Sequence, residues 1–149
     1  MSFQYPASWQ LFVAIDTHQI FLGYSSHIRP AEIVIWVIDK TASPSLSLKD
    51  IVKQEMTMPR DIPTDAKITT LLAPKQVVVN NLFAMKGKVR VQLSTKKSDF
   101  AHITILVIEG ESEFVLVHGF NENIDFLPIV NSFVLSSKIS FDGKDYETL

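Results

Sequence analysis

The sequence predicts an α+β domain in which one antiparallel β-sheet is flanked by helices on both faces. Three observations predict it. Strand-length apolar runs follow one another across short polar breaks, the pattern of antiparallel strands joined by hairpins. Two of those runs, Ile33–Ile38 and Ile103–Ile108, are apolar at nearly every position rather than at alternate ones, so both of their faces need cover. Two other segments, Leu48–Met56 and Phe126–Phe133, carry their apolar residues at helical spacing instead.

Taken in order, Phe3-Gln4-Tyr5 reads as an opening strand stopped by Pro6, with Trp9 as an anchor. Leu11–Ile15 and Ile20–Tyr24 flank the polar Asp16-Thr17-His18-Gln19 and form a hairpin. Ile33–Ile38 is a strand of the sheet interior. The Ser/Pro-rich stretch Thr41–Ser47 is a connection, and Ser47 caps the first helix with Asp50 as its capping-box partner. In that helix Leu48, Ile51, Val52 and Met56 make one apolar stripe, while Lys49, Lys53 and Gln54 take the wet side; Pro59 ends it.

Ile68–Leu72 and Val77–Val79 read as two strands separated by Ala73-Pro74, and Asn80-Asn81 suits a turn with positive φ. Leu82–Met85 and Val89–Leu93 flank Lys86-Gly87-Lys88, which reads as a tight hairpin; the second run alternates, so it keeps one wet face. Ile103–Ile108 and Phe114–Val117 pair across Glu109-Gly110-Glu111-Ser112. Asp125 then caps a final helix with Pro128 in its first turn and Phe126, Ile129, Val130 and Phe133 on its core face. The domain is expected to span 1–137, with a loose polar tail over 138–149.

Composition narrows the class. The 149 residues suffice for one domain with a real core, and 46% hydrophobic against 20% charged residues place the chain among globular proteins. The mean hydropathy of +0.17 requires a sheet covered on both faces or apolar surface kept for a partner. A net charge of -2 opposes non-specific nucleic-acid binding. The absence of cysteine removes disulfides, thiolate metal sites and cysteine nucleophiles together. No run reaches the roughly 20 apolar residues of a membrane-spanning helix. Met1-Ser2-Phe3-Gln4-Tyr5 has neither a basic nor an apolar leader region, so the compartment is cytoplasmic if Met1 is the native start and exported if a signal preceded it.

Chemistry-bearing residues are few. His102 and His118 stand on the two arms of the last hairpin. With a three-residue loop from Glu109 to Glu111 they would face each other with Cβ atoms about 5 Å apart, near enough to share a zinc ion with Asp99. Unless that register holds, they are ordinary strand histidines, and no metal or other cofactor is expected. Lys86, Lys88 and Arg90, with Lys96 and Lys97, would meet an acidic partner or simply solvate a hairpin tip. Glu109, Glu111 and Glu113 alternate, which suits a solvent face rather than an acid and base in contrasting environments. No nucleophile elbow, zinc-protease motif or dinucleotide fingerprint is present, so no enzyme activity is expected. Tyr5, Trp9, Phe12, Phe21, Tyr24 and Trp36 would line a ligand pocket or build the core, and core is the better reading for Trp9 and Trp36. Within the hairpin-borne aromatics, Phe12, Phe21 and Phe83 are the candidates for an apolar face offered to a partner.

The opening Phe3-Gln4-Tyr5-Pro6-Ala7-Ser8-Trp9, the helix after the third strand, and the closing Phe114–Phe120 strand with Phe126–Phe133 together resemble the PsbP-like family. Val79-Asn80-Asn81-Leu82-Phe83-Ala84 is a weaker part of the same resemblance. The family's fold is shared by a photosystem II extrinsic subunit, a Ran-binding Mog-type import factor and many bacterial accessory proteins. The resemblance implies an α/β/α sandwich over about Phe3 to Ser136, and these matching residues are structural rather than catalytic in the family. It implies a non-enzymatic accessory or assembly factor that binds a protein partner, or a second copy of itself, through a surface. Two alternatives accompany it: a dimeric chaperone shielding apolar segments of a secreted effector, and a small-ligand or metal-binding module.

Overall fold

The computed structural model describes residues 3–5, 7–14, 19–23, 32–93, 100–120 and 127–132. They form seven strands, β1 (Gln10–Ala14), β2 (Gln19–Gly23), β3 (Ile33–Asp39), β4 (Lys67–Val79), β5 (Leu82–Gln92), β6 (Phe100–Glu109) and β7 (Glu113–Gly119), and two helices, α1 (Leu48–Thr57) and α2 (Leu127–Asn131). All seven strands share one sheet in the order β1-β2-β3-β7-β6-β5-β4, and every neighbouring pair is antiparallel.

The order explains the path. After the first three strands the chain leaves the middle of the sheet, passes through α1 and re-enters at the far edge as β4. It then returns by hairpins through β5 and β6 until β7 fills the place beside β3. The last strand therefore lies at the centre, and each of its residues is buried. β3 is buried over its first five residues as expected for an interior strand.

The faces of the sheet hold separate cores. Val34, Trp36, Val89, Val91, Ile103, Ile105, Val107, Phe114 and Leu116 pack with Ile51, Val52 and Met56 of α1. On the opposite face Ile20, Leu22, Ile33, Ile35, Leu106, Ile108, Val115 and Val117 pack with Phe3, Trp9 and with Ile129 and Val130 of α2. The two ends of the fold also touch directly. The Gln4 N–H donates to Ser132 Oγ at 2.7 Å, and that hydroxyl donates to the Ile129 carbonyl at 2.6 Å. The expected helical cover is only partly present: a ten-residue helix on one face and a five-residue helix on the other, against a sheet that dominates the fold.

α1 forms as its cap predicts. Ser47 accepts the Asp50 N–H at 3.2 Å and the Asp50 carboxylate accepts the Ser47 N–H at 3.0 Å, which satisfies two of the helix's orphan donors. Asn80 and Asn81 both have positive φ, 47° and 64°, and make a two-residue turn between the paired Val79 and Leu82.

Four expectations are corrected. The opening Phe3-Gln4-Tyr5 is not a strand, although Phe3 and Trp9 are buried as anchors. Residues 67–79 make one strand, not two. Its register shifts between Thr70 and Leu72 and again between Leu72 and Lys75, so Pro74 is absorbed in an irregular stretch of an edge strand, where a missing N–H leaves no ladder bond unmade. Lys86-Gly87-Lys88 is not a hairpin but the middle of β5, bonded to β4 on one side and β6 on the other. Gly87 is there for space: a Cβ at this position would lie 2.6 Å from the Met56 sulfur of α1. Finally, α2 is helical over Leu127–Asn131 and Ser132 already lies in a turn, where the expected helix was still running. Asp125, Phe126 and Phe133 lie outside the described residues, as do His18, His27, Asp99, Lys96, Lys97 and the expected tail.

Gly87→Val is expected to lower the unfolding free energy in denaturant by about 1–3 kcal/mol through overpacking against Met56. Met56→Ala placed in the same chain should recover part of that loss, because it empties the space the new side chain needs.

Candidate functional site

Two features of the α1 face stand out: a buried polar cluster at its centre and an open apolar groove at its edge. The cluster is built by three elements. Glu55 projects from α1 and His118 from β7, and both side chains are fully buried. Arg60 comes from the loop that follows α1. Its backbone N–H donates to Glu55 Oε2 at 3.0 Å and its Nε donates to Oε1 at 2.7 Å. His118 Nε2 lies 3.2 Å from Glu55 Oε2, close enough for charge attraction but off the line of a straight hydrogen bond. The Trp36 ring packs edge-on to the imidazole with centroids 4.6 Å apart, and Phe120 flanks it at 6.1 Å.

The same loop is held a second time. Gln19 Nε2 of β2 donates to Asp61 Oδ2 at 2.7 Å, and Asp61 has a left-handed backbone with φ of 61°. Asp tolerates that conformation better than most residues. Adjacent residues therefore tie the segment after α1 in two directions, Arg60 to α1 and Asp61 to the sheet.

A carboxylate beside an imidazole is the orienting half of a nucleophile–base–acid triad. Here both groups are sealed from solvent, and the carboxylate's remaining oxygen is taken by a guanidinium. The arrangement does structural work: it gives both buried Glu55 oxygens a partner from Arg60, sets His118 beside them, and brings α1, its following loop and the central strand together. Burial pushes the Glu55 carboxyl up, but the contact with His118 and the two Arg60 hydrogen bonds outweigh it, so its pKa is held below the ordinary carboxylate value.

The groove runs beside the N-terminal end of α1. Leu46, Leu48, Phe83 and Met85 form its apolar part, with Gln76 and Glu109 at its margin, and it encloses about 460 Å³. Phe83 is 61% exposed, and its cross-strand partner Val78 is 66% exposed. These two residues extend the apolar strip across β5 onto the edge strand β4.

The expected contact residues are placed as follows. Phe12 and Phe21 are direct cross-strand partners on β1 and β2. Phe12 is 58% exposed, while Phe21 leans into the core under α1. Phe83 is on the same face but on β5. Four strand spacings separate β2 from β5, about 19 Å, so the three phenylalanines make two patches and not one. The histidine pair is not formed. His118 is opposite Ile105, three residues along β6 from His102, so the two imidazoles point to opposite faces of the sheet. His102 instead neighbours Arg90 of β5 and Phe100 of its own strand. The three-residue loop that would have aligned them is replaced by four residues, Gly110 to Glu113, between the paired Glu109 and Phe114. Among the described residues no group of three His, Asp or Glu side chains is placed to hold a metal ion.

Glu55 was not among the candidates drawn from the sequence, yet a signal was present. It stands four residues after Ile51 and three after Val52, on the apolar stripe of α1, so a charge there has to be buried and paired. His118 carried the same signal as a polar residue inside the apolar central strand; Glu113, expected on a solvent face with Glu109 and Glu111, is instead buried as the strand's first residue.

No family model matches the chain, and no curated protein matches it. Among solved structures it is similar to the solution structure of cyanobacterial PsbP (CyanoP) from Synechocystis sp. PCC 6803, with 12% identity and a TM-score of 0.46, over 79% of this chain and 83% of that one. Among the described residues no helix is long and apolar enough to cross a membrane.

Glu55→Ala is expected to cost about 3–5 kcal/mol in denaturant unfolding, the usual loss when one partner of a buried ion pair is removed. The pH dependence has a definite sign. A carboxylate whose folded pKa lies below its unfolded value stabilises the fold above the unfolded pKa, and the contribution is lost as pH falls through the folded pKa. Wild-type stability should therefore drop on acidification below the ordinary carboxylate range, and Glu55→Gln should show a shallower drop over the same range.

Proposed function

We propose that this chain is a PsbP-like, α/β/α-type domain that works without catalysis, as an accessory or assembly factor binding a protein partner through its α1 face. The observation that carries this reading is the exposed pair Val78 and Phe83, which continues into a groove floored by the half-buried Met85, Leu46 and Leu48. Large apolar side chains left in water on neighbouring strands gain roughly 25 cal/mol per Å² when a partner covers them, before the costs of association. Isolated exposed apolar residues need no explanation, but a contiguous strip across a helix margin and two strands does.

The shape of the groove favours a macromolecular partner over a small ligand. Its volume is in the range of ligand sites, but it is open along its length, whereas small molecules are held by pockets that bury most of their surface. The buried Glu55–His118–Arg60 cluster supports the non-catalytic reading from another side, since its acid–base groups are inaccessible and already occupied by one another. Phe12, at the other end of the same face, offers a second and smaller apolar contact.

The test is partner capture with the intact chain. Phe83→Lys combined with Val78→Lys should abolish capture while the domain still unfolds in one cooperative transition; Phe12→Lys should weaken it less. Capture that persists at full strength in the double variant would move the partner site away from this groove. Turnover of a generic ester or phosphate substrate that survives purification, and is lost in Glu55→Gln, would overturn the non-catalytic reading.

A further inference from the structure

We propose that β1 is a self-pairing edge: two copies of this chain join their β1 strands antiparallel about a two-fold axis at Phe12, so that two seven-stranded sheets become one. The two edges of the sheet are built differently. β4 carries Lys67 and Lys75, shifts its register twice and contains Pro74, all of which obstruct pairing with a further strand. β1 reads Gln10-Leu11-Phe12-Val13-Ala14, with no charge, no proline and an unbroken register against β2. Among the described residues, no strand pairs with its outer side. An edge in that state is a template for another strand.

The residues select a second copy as the occupant. Self-pairing sets identical side chains close together, so a charge near the axis would meet its own like. β1 brings none. With the axis at Phe12, each Phe12 stands opposite the other, and Leu11 of each copy stands opposite Val13 of its mate. Leu11 and Val13 lie on the α2 side, half-buried against the core there, and the pairing extends that core across the axis. Phe12 lies on the α1 side and is 58% exposed; an aromatic pair directly across two strands is a favourable sheet contact. Pairing of β1 with β4 of another copy would be a head-to-tail contact that repeats without closing. The obstructions on β4 oppose it, so growth stops at two copies.

The same geometry sets the strength and the consequence. A five-residue strand is about 17 Å long, which leaves the contact short of the roughly 800 Å² per partner of a standard stable interface. The dimer should therefore form and dissociate with concentration. Residues directly opposite on antiparallel strands share a face of the sheet, so both α1 faces lie on one side of the joined sheet. Both grooves then open in the same direction from its two ends, and a partner carrying two binding segments gains avidity. That consequence rests on the function proposed for the groove; the pairing itself does not.

The test is sedimentation velocity of the full chain from the micromolar to the millimolar range. The mean mass should rise from one copy toward two and go no further. Phe12→Lys and Phe12→Glu should each stay monomeric over that range, because each sets like charges together at the axis, and an equimolar mixture of the two should dimerise again. A cross-linking measurement is independent of those variants. The chain has no cysteine, so Phe12→Cys introduces a single thiol. Opposite Cβ atoms at about 4.5–5.5 Å need only a small adjustment to form a disulfide. Mild oxidation should give a covalent dimer with Phe12→Cys and not with Val78→Cys, although Val78 is the more exposed of the two. Val78→Lys with Phe83→Lys should leave self-association unchanged. A chain that stays monomeric throughout, a mass that grows beyond two copies, or equal cross-linking from positions 12 and 78 would overturn the proposal. So would loss of self-association in the Val78→Lys/Phe83→Lys variant, which would seat the second copy in the groove instead.

Discussion

Strands β3, β7 and β6 are apolar on both faces, and the rest of the molecule is arranged to keep both faces dry. A strand pair in the middle of a sheet cannot meet that demand alone, because each face needs its own layer. One layer is α1, whose Ile51, Val52 and Met56 pack with Trp36, Ile105 and Leu116. The other is assembled from both ends of the described chain, Phe3 and Trp9 with Ile129 and Val130, joined by the Gln4–Ser132 hydrogen bond. Separating the two ends would open one whole side of the central strands. The aromatic residues near the start and the short helix near the end are thus one structural unit, although more than a hundred residues of sequence lie between them.

The crossover through α1 sets the second constraint. It has to span three strands to deliver β4 to the far edge, and it lies close enough to β5 that a Cβ on Gly87 would press on the Met56 sulfur and displace it. Bringing a helix so near a sheet also buries whatever stands on the wrong side of it. Glu55 is such a residue, and the fold answers with His118 from below and Arg60 from the returning loop. A buried charge of this kind is costly by itself and adds little net stability when paired. What it does supply is position: α1, its following loop and β7 cannot shift relative to one another without leaving a charge unpaired.

The surfaces left after these demands are met differ in chemistry on the two sides of β4 and β5. The α1 side carries Val78, Phe83 and Met85, and the α2 side carries Lys75, Lys86 and Lys88. The division follows from strand alternation, since neighbouring residues of a strand face opposite ways. One stretch of eleven residues, Leu82–Gln92, thereby contributes to an apolar groove on one side and a cationic row on the other. Pro74 and the irregular register of β4 meanwhile interrupt the outer edge, a common means of discouraging edge-to-edge pairing.

Local rules were enough for part of this. Ser47 and Asp50 specified where α1 begins, Asn80-Asn81 specified the turn between β4 and β5, and the unbroken apolar run Ile33–Ile38 specified an interior strand, because cap chemistry, positive φ and two-sided burial are each written in a few adjacent residues. The sequence resemblance likewise rested on the two aromatic-rich ends, and those ends proved to touch. Tertiary structure decided what local rules misread. Gly87 between two lysines has the composition of a turn, and only the helix above it shows that the glycine answers a close approach. Ala73-Pro74 has the composition of a break, and only the position of β4 at the edge lets the strand continue through it. The separation of His102 from His118 turned on a hairpin register three residues away from alignment, and register is set by the packing of whole strands rather than by the loop between them. Charges and apolar side chains that alternate along one strand were legible as a pattern, but which of them share a face with which neighbours depended on pairings with β4 and β6 that no single segment encodes.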